Sequence, residues 1–356
     1  MALPVECSTL RDYCSALFAK AGVPPADART VAESLVEADL RGVSSHGVTR
    51  VGIYLERLRG GVVNPRPSIR RLREGPGAVL LDGDNGLGAV VGGHAMAEAV
   101  RRAEACGTAW VCVRNSNHIG TAAWYAMQAL PAGCIGVALT SAPPTMPIWG
   151  GRSPFFGTNP FAVAVPAGEE RPIVVDMATS VTARGKIILA AKKGEPIPEG
   201  LAIDPEGRPT TDANVALAGA GLPFGDHQGS AIALLVEVLS AVLAGASMAP
   251  HVGNLYDNPT GVQDIGHGFG AIRIEAFAPL AEFTARMDRL IREARQCPRA
   301  QGANRIYMPG EIEFDNAARN AARGLALPDV TVEDLRMWGE RLGVAWPFAG
   351  TNARSA

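Results

Sequence analysis

The chain has 356 residues, 47% hydrophobic and 19% charged, with a formal net charge of −2. That length exceeds the roughly 250–300 residues at which a single core stops growing, so two or three cores are expected. So even a charge balance excludes a protein built to neutralise nucleic-acid phosphates. Cys7, Cys14, Cys106, Cys112, Cys134 and Cys297 show no C-x-x-C spacing. With no secretory leader, they are expected to be reduced thiols of a cytoplasmic protein. No apolar run approaches the roughly 18 residues that span a bilayer. The closest, Ala231 to Ala246, contains Glu237 and is expected to be a buried helix, so no membrane partner is expected.

Taken in order, Thr9 to Lys20 and Pro25 to Leu40 read as helices, the second opened by a proline start. A third lies within the stretch Ala38 to Gly61, with Ser44 or Ser45 as N-cap and Gly60-Gly61 as the stop. After Asn64 to Pro67 the period changes to short strands, Ala78 to Asp82 and Trp110 to Arg114, with a helix from about Gly92 to Ala105 between them. Ile135 to Thr140, Phe161 to Val165 and Ile173 to Met177 continue as strands, separated by Gly- and Pro-rich stretches. The apolar helix from about Ser230 to Ala244 is followed by a loop, Ser247 to Gly268, and a strand, Ala271 to Glu275. Helices at Leu280 to Ala294, Phe314 to Arg323 and Val332 to Leu342 close the chain. The expected architecture is α/β, with a helical domain from both chain ends (1–75 with 300–356) around a central α/β cofactor and substrate domain (76–299).

The third segment carries the chemistry. His46, Arg50 and Tyr54 are each four residues apart and would share one helix face. An imidazole exchanges protons near neutral pH, and an arginine one turn on holds a carboxylate in a fixed fork. The pair describes a site for a small acid whose neighbouring group gains or loses a proton. The alternative is a capping histidine beside a solvated Arg–Tyr face. Other signatures are missing. The glycines from Gly86 to Gly92 fail the G-x-G-x-x-G spacing, there is no P-loop or G-x-S-x-G elbow, and the six histidines lack metal-ligand spacing, so no metal is expected.

Five motifs in order, SSHGVTR at Ser44, VRNSNHIGTAAWYA at Val113, GTNPFAVAVP at Gly157, VVDMATSVTARGKI at Val174 and PEGRPTTD at Pro205, resemble the malate/L-lactate dehydrogenase family. That family includes ureidoglycolate, sulfolactate and diketogulonate enzymes and Δ1-piperideine-2-carboxylate reductases. The resemblance runs from about Leu10 to about Gly310 and implies a non-Rossmann nicotinamide-binding sheet, in accord with the missing glycine fingerprint. It also implies that His46 is the proton donor, Ser45 its hydrogen-bonding partner and Arg50 the grip on the substrate carboxylate. Tyr54 and Thr158 fall to the substrate pocket. His118, Gly120, Thr121, Ala122, Asp176, Met177, Ala178, His227, Gln228, and Met308 to Glu311 with Gly310 among them, fall to an NAD or NADP cofactor. A homodimer with the site at a subunit boundary is implied as well.

Two departures qualify this. The family's G-G-x-K-G turn reads GDHQG here, Gly225 to Gly229, so a lysine is replaced by Gln228 and Asp226 adds a negative charge. That weakens phosphate contacts and any preference for NADP. Lys186 stands where the imino acid reductases carry an aspartate, which favours the hydroxy acid side and gives Lys186 a catalytic role by resemblance, whereas GSAIALLVE at Gly229 looks more like the reductases. The expected activity is hydride transfer between NAD(P)H and a small 2-oxo acid. Reduction of a cyclic imino acid, and a family member without turnover that only binds a ligand, are the alternatives.

Overall fold

The computed structural model describes residues 4–256 and 261–348. Residues 1–3, 257–260 and 349–356, which belong to the anticipated helical domain and the anticipated 247–268 loop, lie outside these. The chain begins with α1 (Cys7–Lys20) and α2 (Pro25–Leu40). The Glu6 carboxylate caps α1 by accepting the Ser8 and Thr9 N–H groups at 2.9 and 2.6 Å.

The continuous third helix is corrected. Two 3₁₀ turns, Ser44–His46 and Val48–Arg50, precede the α-helix α3 (Val51–Arg59), and neither serine caps anything. Gly47, between the turns, is extended (φ −86°, ψ −152°), so the hydrogen-bond ladder is interrupted there. Gly60 does stop α3, and Gly61 follows at φ +68°.

The rest of the chain runs β1 (Arg70–Glu74), β2 (Ala78–Asp82), α4 (Gly88–Cys106), β3 (Thr108–Ser116), α5 (Ala122–Ala126), β4 (Cys134–Thr140), β5 (Phe161–Val165), β6 (Ile173–Met177), α6 (Arg184–Lys193), β7 (Ala202–Ile203), α7 (Ala213–Ala218), β8 (Ala220–Gly221), α8 (His227–Glu237), β9 (Ile265–Arg273), α9 (Leu280–Gln296), α10 (Glu311–Arg323) and α11 (Asp329–Leu342). Seven strands form one sheet in the order β1-β2-β3-β9-β4-β5-β6. Only β2 and β3 are parallel, joined by the α4 crossover; every other pair is antiparallel. This is not a doubly wound parallel sheet, which agrees with the absent glycine fingerprint.

The central strand was expected to begin at Ala271 after a loop, but it begins at Ile265, because its glycines mimic a loop in sequence. A Cβ on Gly266 would lie 2.6 Å from Ala241 Cα, and one on Gly268 2.6 Å from the Trp110 ring. The bare face therefore lets a helix lie flat on the sheet, while Phe269 on the other face packs against Tyr125. Helices α6 and α7, not anticipated from the pattern, close a small core of Ile187, Ile197, Ala202, Ala213 and Ala216.

Two larger cores organise the molecule. One is built from α1, α2, α3 and α11, with Leu17, Phe18, Leu35, Leu55, Leu335 and Trp338 at its centre. The other lies between the sheet and α4 and α5, around Met96, Val111, Val113, Tyr125 and Phe269. Each such side chain contributes about 1.5–3 kcal/mol through burial.

The apolar helix departs from expectation. After α8 it continues through one π-turn, Val238–Val242, and it is buried on one face only. Leu235 is 55% exposed and Leu243 56%, with Leu234, Val238 and Val242 exposed beside them. The buried Glu237 faces the other way, accepting the Asn159 amide at 2.7 Å and the Ala249 N–H at 2.7 Å. A partnered carboxylate inward and an apolar face outward reverse the pattern expected of a buried helix.

Candidate active site

The two 3₁₀ turns bring the first group of residues together without a continuous helix. Ser45 Oγ lies 2.9 Å from His46 Nδ1, and Arg50 turns back so that its Nε–H donates to the Ser45 carbonyl at 2.7 Å. The Arg50 guanidinium lies over the Tyr256 ring, 5.3 Å from its centroid. Its two Nη groups make no hydrogen bond among the described residues, which leaves the edge of the fork free for a carboxylate.

The second core contributes His118, whose ring stacks on His46 at 5.5 Å and 20°. Tyr54 is buried, and its hydroxyl reaches His118 Nδ1 at 2.6 Å. The Gly120 N–H also points at that nitrogen, at 3.3 Å. With two donors on Nδ1, the His118 proton is assigned to Nε2. Tyr54, expected in the substrate pocket, uses its hydroxyl on His118.

Electrostatics keep both imidazoles neutral. Loss of water, then the Arg50 charge, pushes His46 down to about 4. His118 is pushed well below its ordinary value by burial, then by His46, Arg50 and His267. The cause is desolvation and a neighbouring cation, rather than a helix terminus. Burial also raises the Tyr54 phenol, so it stays a donor.

The loop that carries His118 is tied down by groups the sequence pattern does not flag. Buried Asn117 donates through Nδ2 to the Asn85 side chain and to the Gly86 carbonyl, both at 2.9 Å. Gln263 Oε1 accepts the His118 N–H at 3.2 Å. Beyond the loop, Gly120 takes φ +73° with open space beside it, and Thr121 leads into α5, whose first residue is Ala122. At the end of β6, Asp176 Oδ2 accepts the Ala123 N–H at 3.2 Å. The protein around Asp176 raises its carboxyl to about 6 through desolvation. Met177 is exposed, and Ala178 leads into Thr179, whose N–H and hydroxyl both donate to the Thr158 carbonyl at 2.8 Å. Next to Thr158, the fully buried Asn159 ties this turn to α8. An isolated glutamate in an apolar helix is the one trace of that contact in the sequence.

Gly310 (φ +90°) packs against Val174 of β6, where a Cβ would come within 2.9 Å, and the Val174 N–H donates to the Pro309 carbonyl at 3.0 Å. Glu311 accepts the Met308 N–H at 3.0 Å and pairs with Arg295 and Arg305, so it holds the turn. His227 and Gln228 are exposed at the start of α8, behind Asp226, which takes φ +59°. Lys186 is exposed on α6, and no hydrogen bond or ion pair joins it to His46 among the described residues. Thus Ser45, His46, Arg50, Tyr54 and His118 form one cluster, with Asp176 linked to the loop beside it. Lys186, His227 and Gln228 stand outside that bonded network.

The fold superposes on the sulfolactate dehydrogenase of Methanocaldococcus jannaschii with a TM-score of 0.91 and 38% identity, covering 97% of this chain and 98% of that one. A Δ1-piperideine-2-carboxylate reductase from Pseudomonas syringae pvar. tomato also superposes, with a TM-score of 0.84 and 28% identity over 94% of this chain and 99% of that one. Fold and site together define an oxidoreductase. In sequence, the malate dehydrogenase of Pyrococcus abyssi is 38% identical over 336 residues, 92% of either chain. The family model for malate/L-lactate dehydrogenase matches residues 5–336, and the chain belongs to that family.

Proposed function

We propose that the protein interconverts a small 2-oxo acid and its 2-hydroxy acid, with His46 as the proton-transferring group. The observation that carries this reading is the pairing of a desolvated His46 with an Arg50 fork whose Nη groups make no hydrogen bond among the described residues. A nicotinamide dinucleotide fits the residues present. Gly120 opens onto free space, and the buried Ser180 hydroxyl, two residues after Ala178, has no hydrogen-bond partner among the described residues. Residues 118–122, 176–178 and the 308–310 turn would hold it, and when bound it supplies or accepts the hydride.

This chain's own groups do the rest. Arg50 fixes the substrate carboxylate, which supplies the proximity part of the barrier reduction. Protonated His46 donates from Nε2 to the oxygen that becomes the hydroxyl, while its Nδ1–H is held by Ser45 Oγ. In the reverse direction the neutral imidazole accepts that proton. The Nε2–H of His118 stays a neutral donor beside the same oxygen and adds no competing charge.

The turn at Asp226 and Gln228 carries a carboxylate and no cation, a setting that disfavours an added 2′-phosphate and favours NAD(H). The exposed Leu234, Leu235, Val238, Val242 and Leu243 support a homodimer formed over α8. The test is loss of nicotinamide absorbance with NADH and NADPH in parallel, against oxaloacetate, pyruvate, a bulkier 2-oxo acid and Δ1-piperideine-2-carboxylate. Turnover of an oxo acid that vanishes in His46→Ala is expected. Turnover of the cyclic imine alone overturns the hydroxy acid reading, and silence with every acid removes the enzymatic one.

A further inference from the structure

The structure assigns to Asp39 the role of a positioning residue, one that sets the angle between the His46 turn and the Arg50 turn. Asp39 lies on α2 and is 6% exposed. Its Oδ2 accepts the Val48 N–H at 2.7 Å, the first N–H of the turn that ends in Arg50. The residue before, Gly47, is the joint between the two turns. A Cβ there would lie 2.2 Å from the Asp39 carboxyl carbon and from both its oxygens. The carboxyl therefore occupies the space that any side chain at 47 would need. Glycine at 47 and aspartate at 39 are two halves of one contact, eight residues apart in sequence.

This contact falls where geometry matters most. Three residues separate His46 from Arg50, and the joint within them decides how far the imidazole stands from a carboxylate held in the fork. No salt bridge reaches Asp39 among the described residues, and burial pushes its carboxyl up to about 7. A paired charge is thus not the reason for a carboxyl at this place. What it supplies is an acceptor oxygen of the right reach, which a neutral amide also has.

The inference deepens the proposed function and rests on it for its kinetic readout, so a second readout is independent of turnover. In Asp39→Ala and Gly47→Ala, kcat/KM for the 2-oxo acid is expected to fall about 100-fold, as for a displacement of about 1 Å, with the KM for the dinucleotide unchanged. Asp39→Asn, which keeps the acceptor, stays within about threefold of wild type. The double variant Asp39→Ala/Gly47→Ala, in which the added methyl has room, recovers at least about tenfold over Gly47→Ala alone. Independently, the NMR titration of the His46 imidazole moves in Asp39→Ala and Gly47→Ala but not in Asp39→Asn. A purely structural role lowers stability and leaves that titration and the kinetic split in place. Wild-type kcat/KM and an unmoved His46 titration in the folded Gly47→Ala protein overturn the assignment, as does damage by Asp39→Asn equal to that by Asp39→Ala. If no acid is turned over by wild type, the proposed function fails while the titration still reads the joint.

Discussion

The proposed reduction of an oxo acid calls for a protonated His46, yet in the free protein burial and the Arg50 charge push this imidazole down to about 4. At pH 7 only about 0.1% of it carries the proton, three units above its midpoint. A bound carboxylate about 4 Å away, at an effective dielectric of ~20, favours the imidazolium by about 4 kcal/mol. At 1.36 kcal/mol per unit that is roughly three units, enough to bring the bound-state value to about 7. Binding is therefore coupled to proton uptake between these two values. Affinity for the acid is expected to fall about tenfold per pH unit between about 4 and 7, and to level off above. Calorimetry with an unreactive analogue such as oxamate, at pH 6 in buffers of different ionisation enthalpy, should read close to one proton taken up. His46→Gln should read none. An enthalpy independent of buffer, together with affinity flat from pH 5 to 8, would refute the coupling and the role of His46 as donor.

Tyr54→Phe removes the hydroxyl on His118 Nδ1 and leaves a buried acceptor with only the 3.3 Å Gly120 contact. Urea unfolding should show a loss of about 1–3 kcal/mol, and an unchanged midpoint counts against the tautomer assigned to His118. Arg50→Lys replaces a planar fork by a point charge, so the KM for the acid should rise at least about tenfold while that for the dinucleotide holds; equal rises in both would place Arg50 elsewhere. Leu235→Glu puts a charge in the exposed face of α8, and sedimentation should shift from dimer to monomer; a dimer of unchanged strength removes α8 from the interface. Asp39 has its carboxyl raised in the fold, so its contribution to stability is complete below the unfolded value of about 4 and lost as pH rises through about 7. Asp39→Asn removes that loss, and its advantage over wild type in urea should grow between pH 5 and 8 by about 2–3 kcal/mol; a constant gap refutes the shift.

What could be read in sequence depended on how local the cause was. Helices α1, α2, α9 and α11 follow from periodicity and proline starts, because each needs one apolar stripe to meet a core. The seven residues SSHGVTR suggest a site because an imidazole and a guanidinium are neighbours in the chain, and the structure does bring Ser45, His46 and Arg50 together. Their backbone is not legible in the same way. Gly47 breaks the helix through a contact with Asp39 on another element, and no periodicity reports a tertiary carboxyl. The same holds for β9, whose glycines read as a loop until the helix lying on them is known. Asn117 and Asn159 were silent because a buried amide is defined by what it satisfies, and those partners, Gly86 and Glu237, are 31 and 78 residues away. The exposed face of α8 misled for a related reason, since an apolar stripe states that something must cover it without stating that the cover lies in the same chain.

The division of the site between two cores has a physical consequence. Ser45, His46, Arg50 and Tyr54 hang from the helical core, whereas His118, Gly120 and Asp176 hang from the sheet. Within the site, one ring stack and one phenol–imidazole bond join the two groups. Each is modest alone, on the order of 1 kcal/mol. The short chain path from His46 to Arg50 keeps these two side chains in one register, whichever core their neighbours belong to. The proposed reaction, which must hold a carboxylate still to within a fraction of an ångström, needs that register.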